Sequence, residues 1–438
     1  MCSKEGLLIH NLAKRLWSIN RSITGEGLRK TLQILKEEIP QLDIREVKSG
    51  TKVFDWTVPL EWSCKTAHII DPNGKKICNL EDNNLHLVGY SSPINKKIKL
   101  CELQNHLHSL PDQPTAIPYV TSYYNKTWGF CISHEERMNL VEGDYKVVIE
   151  SSLFQGVLNY GEVFIKGNSN KEIFLSTYVC HPSMANNELS GPTVLTHLVK
   201  WLLSQTNLGY SYRIVFIPET IGSITYLSQN YKELKKNVFA GFNISCVGDD
   251  RSYSYIPSRN GNTPSDNVAR HVLKWIDSNY VAYAWSDRAS DERQYCAPGI
   301  DLPVASVCRT KYHCFPEYHT SLDDLENVVT PKGLQGGYNM LKKILETIEN
   351  NVIPKVNMLC EPQLGKRGLY ADLSKFNIDQ HQIKMIMMDF ISWCDGDHTL
   401  LEISEKLNVP IWELYDLCNN LEDHEIISIT RQSCALLF

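Results

Sequence analysis

The chain has 438 residues, 42% of them hydrophobic and 21% charged; at roughly 150 residues per domain, this length predicts two to four domains with a large core. Fifty acidic against 44 basic residues give a net charge of −6, which excludes a strongly basic polyanion binder but not a local basic patch. No run approaches the ~18 apolar residues of a membrane span, the stretch 1–6 does not read as a secretory signal, and the 14 scattered cysteines, with no C-x-x-C pair, read as reduced thiols of a cytoplasmic protein.

Leu7, Leu8, Leu12, Ala13 and Leu16, then Leu28, Leu32, Ile34 and Leu35, recur at helical spacing and predict two helices over 5–38. A glycine-bearing turn at 22–27 separates them, and Pro40 stops the second. From about 45 to 165 the texture changes. Short alternating runs at 52–58, 66–70, 97–102, 128–132 and 145–149, broken by turns such as Asp71-Pro72-Asn73-Gly74, predict a β-rich module. Its aromatic stretch 119–128 reads first as packing and second as a binding platform. From 160 to 355, strands at 162–165, 172–178, 212–217, 238–247 and 304–308 alternate with helices at 192–204, 267–275 and 333–352. Apolar strands interleaved with amphipathic helices predict an α/β unit whose mixed sheet is covered on both faces.

The composition of 354–368 reads as a linker. Helices at 382–393, 399–407 and 411–421, a turn at 408–410 and a β-branched strand at 425–430 follow in the order of a winged helix-turn-helix. Residues 361–438 hold 13 acidic and 6 basic side chains, a net of −7. Phosphate contacts supply most duplex affinity, so nucleic acid is not the expected partner; the module reads as a protein-interaction or dimerisation element.

Polar clusters follow the strands, where ligands of open α/β sheets collect. His181 closes one strand, with Asn187 and Glu188 on the loop behind it; these are either zinc donors or a capped helix start. Glu219 ends another and is either a general base with a raised pKa or part of a helix N-terminus. Asp249 reads first as a solvated turn and second as a ligand, and the Ser290–Arg293 stretch reads first as a charged turn. His319 lies in a polar loop before the last long helix, and His313 is the blander neighbour. Arg251, Arg259, Arg293 and Tyr318 are candidates for substrate anchoring or oxyanion contact. His10, His106, His108, His197 and His398 fall outside these loops. Together the clusters have a metallohydrolase layout. No G-x-S-x-G, Walker A, H-E-x-x-H or G-x-G-x-x-G pattern competes.

The segments CHPSMANNELSG, PETIGS, SDERQYCAPGI and EYHTSLDD resemble those of the bacterial aminopeptidase-like domain proteins, relatives of the zinc aminopeptidases. The resemblance implies a zinc-exopeptidase-like catalytic unit at 1–45 and 160–355, an inserted β domain of unknown function at 46–159, and a winged helix at 369–438. His181 then matches the first zinc ligand, Glu219 the general base and His319 the last ligand. Asn187 falls where the aminopeptidases bridge two zincs with an aspartate. Thr220 and Ser245 replace two further acidic ligands. The resemblance therefore implies zinc, one ion held by His181, Glu188 and His319 as the first expectation and two ions as the second, with Asp249 as a substitute for the lost aspartate. The expected activity is zinc-dependent aminopeptidase-like hydrolysis of a small peptide or acylated amine. The alternative is a non-catalytic pseudo-peptidase that binds or regulates through its winged helix. Members of this family often accompany polysaccharide-biosynthesis genes.

Overall fold

A computed structural model describes residues 4–367, 369 and 380–431. The run Glu172–Tyr178 is buried at every position and lies near the middle of an eight-stranded mixed sheet. In spatial order the strands are Asp43–Lys48, Val157–Ile165, Ser211–Ile217, Glu172–Tyr178, Val238–Ile244, Val304–Cys308, Ser254–Ile256 and Val281–Ala282. Ser211–Ile217, Glu172–Tyr178, Val238–Ile244 and Val304–Cys308 run parallel; antiparallel pairings flank them on both sides. Strands covered on both faces need apolar side chains of both parities. Ile173 and Leu175 face one core, with Leu12, Leu198 and Leu341. Phe174 and Tyr178 face the other, with Ile224, Leu227 and residues of the insert.

The parallel strands end at one edge, so Cys180-His181, Glu219 and the loop after Ile244 emerge together. Gly191 opens the helix Ser190–Leu203 against two of these strands. A Cβ there would lie 2.4 Å from Thr177 Oγ1 and 2.6 Å from the Ile244 carbonyl, so only glycine lets the helix start this close to the sheet.

The inserted module forms a four-stranded antiparallel sheet in the order Lys76–Ile77, Glu61–Ile70, Asp144–Phe154 and Ile94–Lys99. The single strand expected at 52–58 is instead a tight hairpin, Lys52–Val53 paired with Trp56–Thr57, because Phe54 turns the chain at φ 56°. The strand expected at 238–247 stops at Ile244, where Cys246 takes positive φ. A seam joins the insert to the loop that follows the last parallel strand. Ile117 N–H donates to Ser321 Oγ (3.0 Å), Ser321 N–H to the Ile117 carbonyl (2.9 Å), and Tyr119 N–H to the His319 carbonyl (2.8 Å).

The C-terminal module contains the helices Gln380–Ser392, Leu400–Leu407 and Tyr415–Asp423, and the strand Ile427–Arg431. Its strand pairs antiparallel with Val352–Val356, so the first residues of the expected linker are strand; Val352, Ile353 and Val356 are the β-branched residues that suit it. The expected helix 411–421 divides into a short turn, Ile411–Glu413, and the helix Tyr415–Asp423. Ile411 N–H is taken by His271 Nε2 at 3.0 Å, which ties that turn to the aminopeptidase-like unit. The parts of this module at 370–379 and 432–438 lie outside the described residues. None of the described helices is long and apolar enough to cross a membrane, and the twelve described cysteines are all free.

Candidate active site

Two adjacent parallel strands deliver the central pair. Val179 N–H still bonds the Ile217 carbonyl at 2.9 Å, and past this point the chains place His181 and Glu219 side by side. His181 Nε2 lies 3.5 Å from Glu219 Oε2. Its Nδ1 donates to Glu188 Oε2 at 3.0 Å, and the same oxygen accepts the His181 backbone N–H at 3.0 Å. A carboxylate only accepts, so the Nδ1 proton is fixed and Nε2 faces Glu219. Glu188 reaches this position on a wide helical turn, Ala185–Leu189, that precedes the regular helix; such π-type turns recur at functional sites.

Buried Arg21 completes this layer. Its Nε donates to the His181 carbonyl at 2.8 Å and lies 3.3 Å from Glu188 Oε1, while Nη1 bonds the Leu16 carbonyl at 2.7 Å. Burial penalises the charged imidazole of His181, but the adjoining Cys180 and Glu188 outweigh it and hold its pKa above the ordinary histidine range.

Glu219 sits above a strained corner. Ile221 N–H bonds the Glu219 carbonyl at 2.8 Å, a three-residue γ-turn centred on Thr220 at φ 63°, ψ −75°. This is the rare hand of that turn, and a β-branched residue there costs ~1–3 kcal/mol. Asp291 holds the corner: its Oδ1 accepts Thr220 N–H and Ser223 Oγ, both at 2.7 Å. Ser290 Oγ donates to Glu219 Oε1 at 2.8 Å. Burial raises the Glu219 pKa, against the opposing charge of His181. Burial and then the Glu219 charge push Asp291 up to about 7.

His319 comes from the loop before the helix Pro331–Glu349, at φ 58°. Its ring centroid is 6.0 Å from that of His181 and it stacks on Tyr318 at 3.9 Å. Tyr119 of the insert stands edge-on to both histidines, at 5.2 and 5.1 Å. Burial, then His181, pushes the His319 pKa down to about 3, so its imidazole is neutral. No hydrogen bond reaches its ring nitrogens among the described residues.

Asn187 donates from Nδ2 to the Tyr178 hydroxyl at 2.8 Å, and its buried Oδ1 has no hydrogen-bond partner among the described residues. The backbone N–H groups of Asn186 and Asn187 donate to Asp323, at 2.7 and 2.9 Å. Asp249 does not join the cluster. Its two oxygens accept from Asn186 Nδ2, Arg251 N, Thr310 N and Thr310 Oγ1 at 2.7–3.0 Å, so it braces its own turn. Arg251 is paired bidentately with Glu317 and Arg259 with Asp301. Arg293 instead reaches the site, donating from Nη2 to Thr220 Oγ1 at 2.9 Å.

A cavity of about 240 Å³ opens over His181, Glu219 and Arg293, walled by Trp56, Tyr123 and Tyr124 of the insert. Donor atoms of Cys180, His181 and Glu188 lie within 4.8 Å of one another. Burial pushes the Cys180 thiol up to about 11, and His181 and Arg21 occupy Glu188, so this trio is better read as support for the imidazole than as a metal cage. Donor atoms without a hydrogen bond among the described residues include His181 Nε2, the His319 ring, Asn187 Oδ1 and Glu188 Oε1, the last 3.3 Å from Arg21 Nε. The two imidazoles, their centroids 6.0 Å apart, are the donor type that one divalent cation takes.

Arg21, Tyr119, Ser290, Asp291 and Asp323 escape sequence reasoning as site residues. Ser290, Asp291 and Asp323 lie in the marked clusters, but nothing in their spacing separates a buried brace from a surface turn. Arg21 carries no signal at all, its partner His181 being 160 positions away.

A family model described as "Domain of unknown function (DUF4910)" matches residues 10–351, and a winged helix-turn-helix model matches 351–429. A Clostridium acetobutylicum protein named "Putative polysaccharide biosynthesis protein with aminopeptidase-like domain" is 44% identical over 408 residues, 92% of each chain. A crystal structure from the same organism superposes with a TM-score of 0.91 at 41% identity, covering 98% of this chain and 97% of that one. The zinc aminopeptidase BSAP of Bacillus subtilis shares the fold: TM-score 0.57, 13% identity, 79% of this chain and 95% of that one.

Proposed function

The chain belongs to the DUF4910 family of aminopeptidase-like proteins, and from that premise we propose that it hydrolyses small amides with the help of one zinc ion. The observation that carries the reading is the placement of Glu219, its Oε1 pinned by Ser290 and its Oε2 facing His181 Nε2 across 3.5 Å. His181, His319 and the Asn187 amide oxygen would hold the metal. Zinc, when bound, supplies Lewis acidity to the scissile carbonyl and to the attacking water.

The chain's own groups do the rest. Glu188 fixes the tautomer and direction of His181, as carboxylates behind metal-binding imidazoles do, and Arg21 neutralises Glu188. Glu219 takes the water proton on Oε2 and returns it to the leaving nitrogen; its raised pKa suits a group that must both accept and release. The aromatic wall of the insert keeps bulk water out. An acylated amino sugar has the required bond and agrees with the name of the Clostridium relative. The twelve free thiols support a cytoplasmic setting. Asp416, Glu422 and Asp423 on the last helix of the winged module favour a protein partner or a second copy of the chain over a duplex.

Glu219→Gln is expected to lower turnover of aminoacyl and N-acyl substrates by ~10²–10⁴-fold while metal analysis still finds one zinc per chain. Normal hydrolysis by that variant would remove Glu219 as the base. The non-catalytic reading draws on Asn187, Thr220 and Ser245; freshly purified protein without zinc would favour it.

A further inference from the structure

The cavity over His181 has an uneven set of charges. Beside the imidazole, its wall carries one carboxylate, Glu219, and one guanidinium, Arg293. Glu219 is committed to proton transfer. Among the described residues Arg293 forms no ion pair, and its one hydrogen bond, to Thr220 Oγ1 at 2.9 Å, leaves most of its five N–H donors free. The two acids just before it in the chain are turned inward. Asp291 is taken by Thr220 and Ser223. Glu292 accepts from Ala289 N, Ser290 N and Asn243 Nδ2. The wall therefore offers a substrate ammonium no spare carboxylate, and offers a substrate anion an unpaired guanidinium.

Size and shape narrow the choice further. About 240 Å³ is below the ~300–1,000 Å³ of pockets that hold drug-sized molecules. Trp56 and Tyr124, packed edge to face at 5.7 Å and both exposed, form an aromatic rim of the same cavity.

We propose that this cavity takes a small N-acyl compound bearing a carboxylate, with the carboxylate on Arg293 and the body of the molecule against Trp56 and Tyr124. The acyl bond as target rests on the hydrolase reading above; the anion preference does not. Guanidinium matches carboxylate bidentately, so lysine in its place keeps the charge but loses the fork.

Titration calorimetry on the full-length Glu219→Gln chain loaded with zinc, which holds substrates without turnover, tests the preference. The probes are N-acetylglycine and its neutral isostere N-acetylglycinamide. The acid is expected to bind roughly tenfold or more tightly than the amide. Adding Arg293→Gln should abolish that ratio, and Arg293→Lys should keep part of it. Equal binding of acid and amide, no measurable binding of the acid, or a ratio that survives Arg293→Gln overturns the proposal. If Arg293→Gln fails to fold, the ratio on the parent and its drop in Arg293→Lys decide. Acid-selective, Arg293-dependent binding together with no amide cleavage by the zinc-loaded chain that keeps Glu219 refutes the hydrolase and leaves the anion site standing. Cleavage of N-acyl substrates by that chain, with acid and amide bound equally, does the reverse.

Discussion

A guanidinium as deeply buried as that of Arg21, 1% exposed, must find its counter-charge inside the fold. It finds Glu188, which in turn aims His181. Arg21→Met keeps the volume but strands a buried carboxylate, so denaturant unfolding should show a loss of about 3–5 kcal/mol, and adding Glu188→Gln should recover part of it. No recovery in the double variant would mean that the lost bonds to the Leu16 and His181 carbonyls dominate instead. Asp291 makes a prediction in pH. Its pKa rises from 3.8 to about 7 in the fold, so the folded chain holds a proton that the unfolded chain has released. The stability this provides is complete below about pH 4 and is lost as pH rises to about 7. Asp291→Asn keeps the Oδ1 acceptor without the charge. Its melting temperature should fall less than the parent's between pH 5 and 8, and at pH 8 it should be the more stable by on the order of 2 kcal/mol; parallel pH profiles would count against this. His181 and Glu219 are legible in the sequence because each follows an apolar run that can only be a buried strand. Arg21 and Asp291 are not, because a charge declares itself buried only through contacts remote along the chain.

At the level of elements, one histidine makes two of the contacts that join the winged module to the aminopeptidase-like unit, beside Lys274, which reaches Glu405 and Asn408. His271, on the helix Pro264–Ile276, pairs through Nδ1 with Glu405 and accepts Ile411 N–H on Nε2 at 3.0 Å. His271→Ala leaves that N–H buried without a partner, at ~1–3 kcal/mol. Chymotrypsin should then cut faster near Leu359, which is 96% exposed between the two units; an unchanged cleavage rate would show that other contacts hold the module. The long periodic elements are readable from sequence, the helices of 5–38 and the strand Val304–Cys308 among them. The hairpin at 52–57 is not, because its two-residue strands take their identity from each other, and neither is the strand Val352–Val356, whose Pro354-Lys355 reads as linker until its partner is known. For Val352–Val356 that partner is Ile427–Arg431, about 70 positions further along the chain.

Across the whole molecule, the mixed sheet and its helices follow from the alternation of apolar runs and amphipathic segments. The position of the insert over the sheet edge does not, because it depends on the seam between Ile117–Tyr119 and His319–Ser321 and on Tyr119 reaching both imidazoles. That seam bears on how such proteins diversify. The excursion cannot be swapped between relatives as a self-contained cassette, since one of its rungs is the very peptide that presents His319. A chimera would have to exchange stretches 204 positions apart together, and donor and recipient have to match at both for an imported roof to meet the floor beneath it.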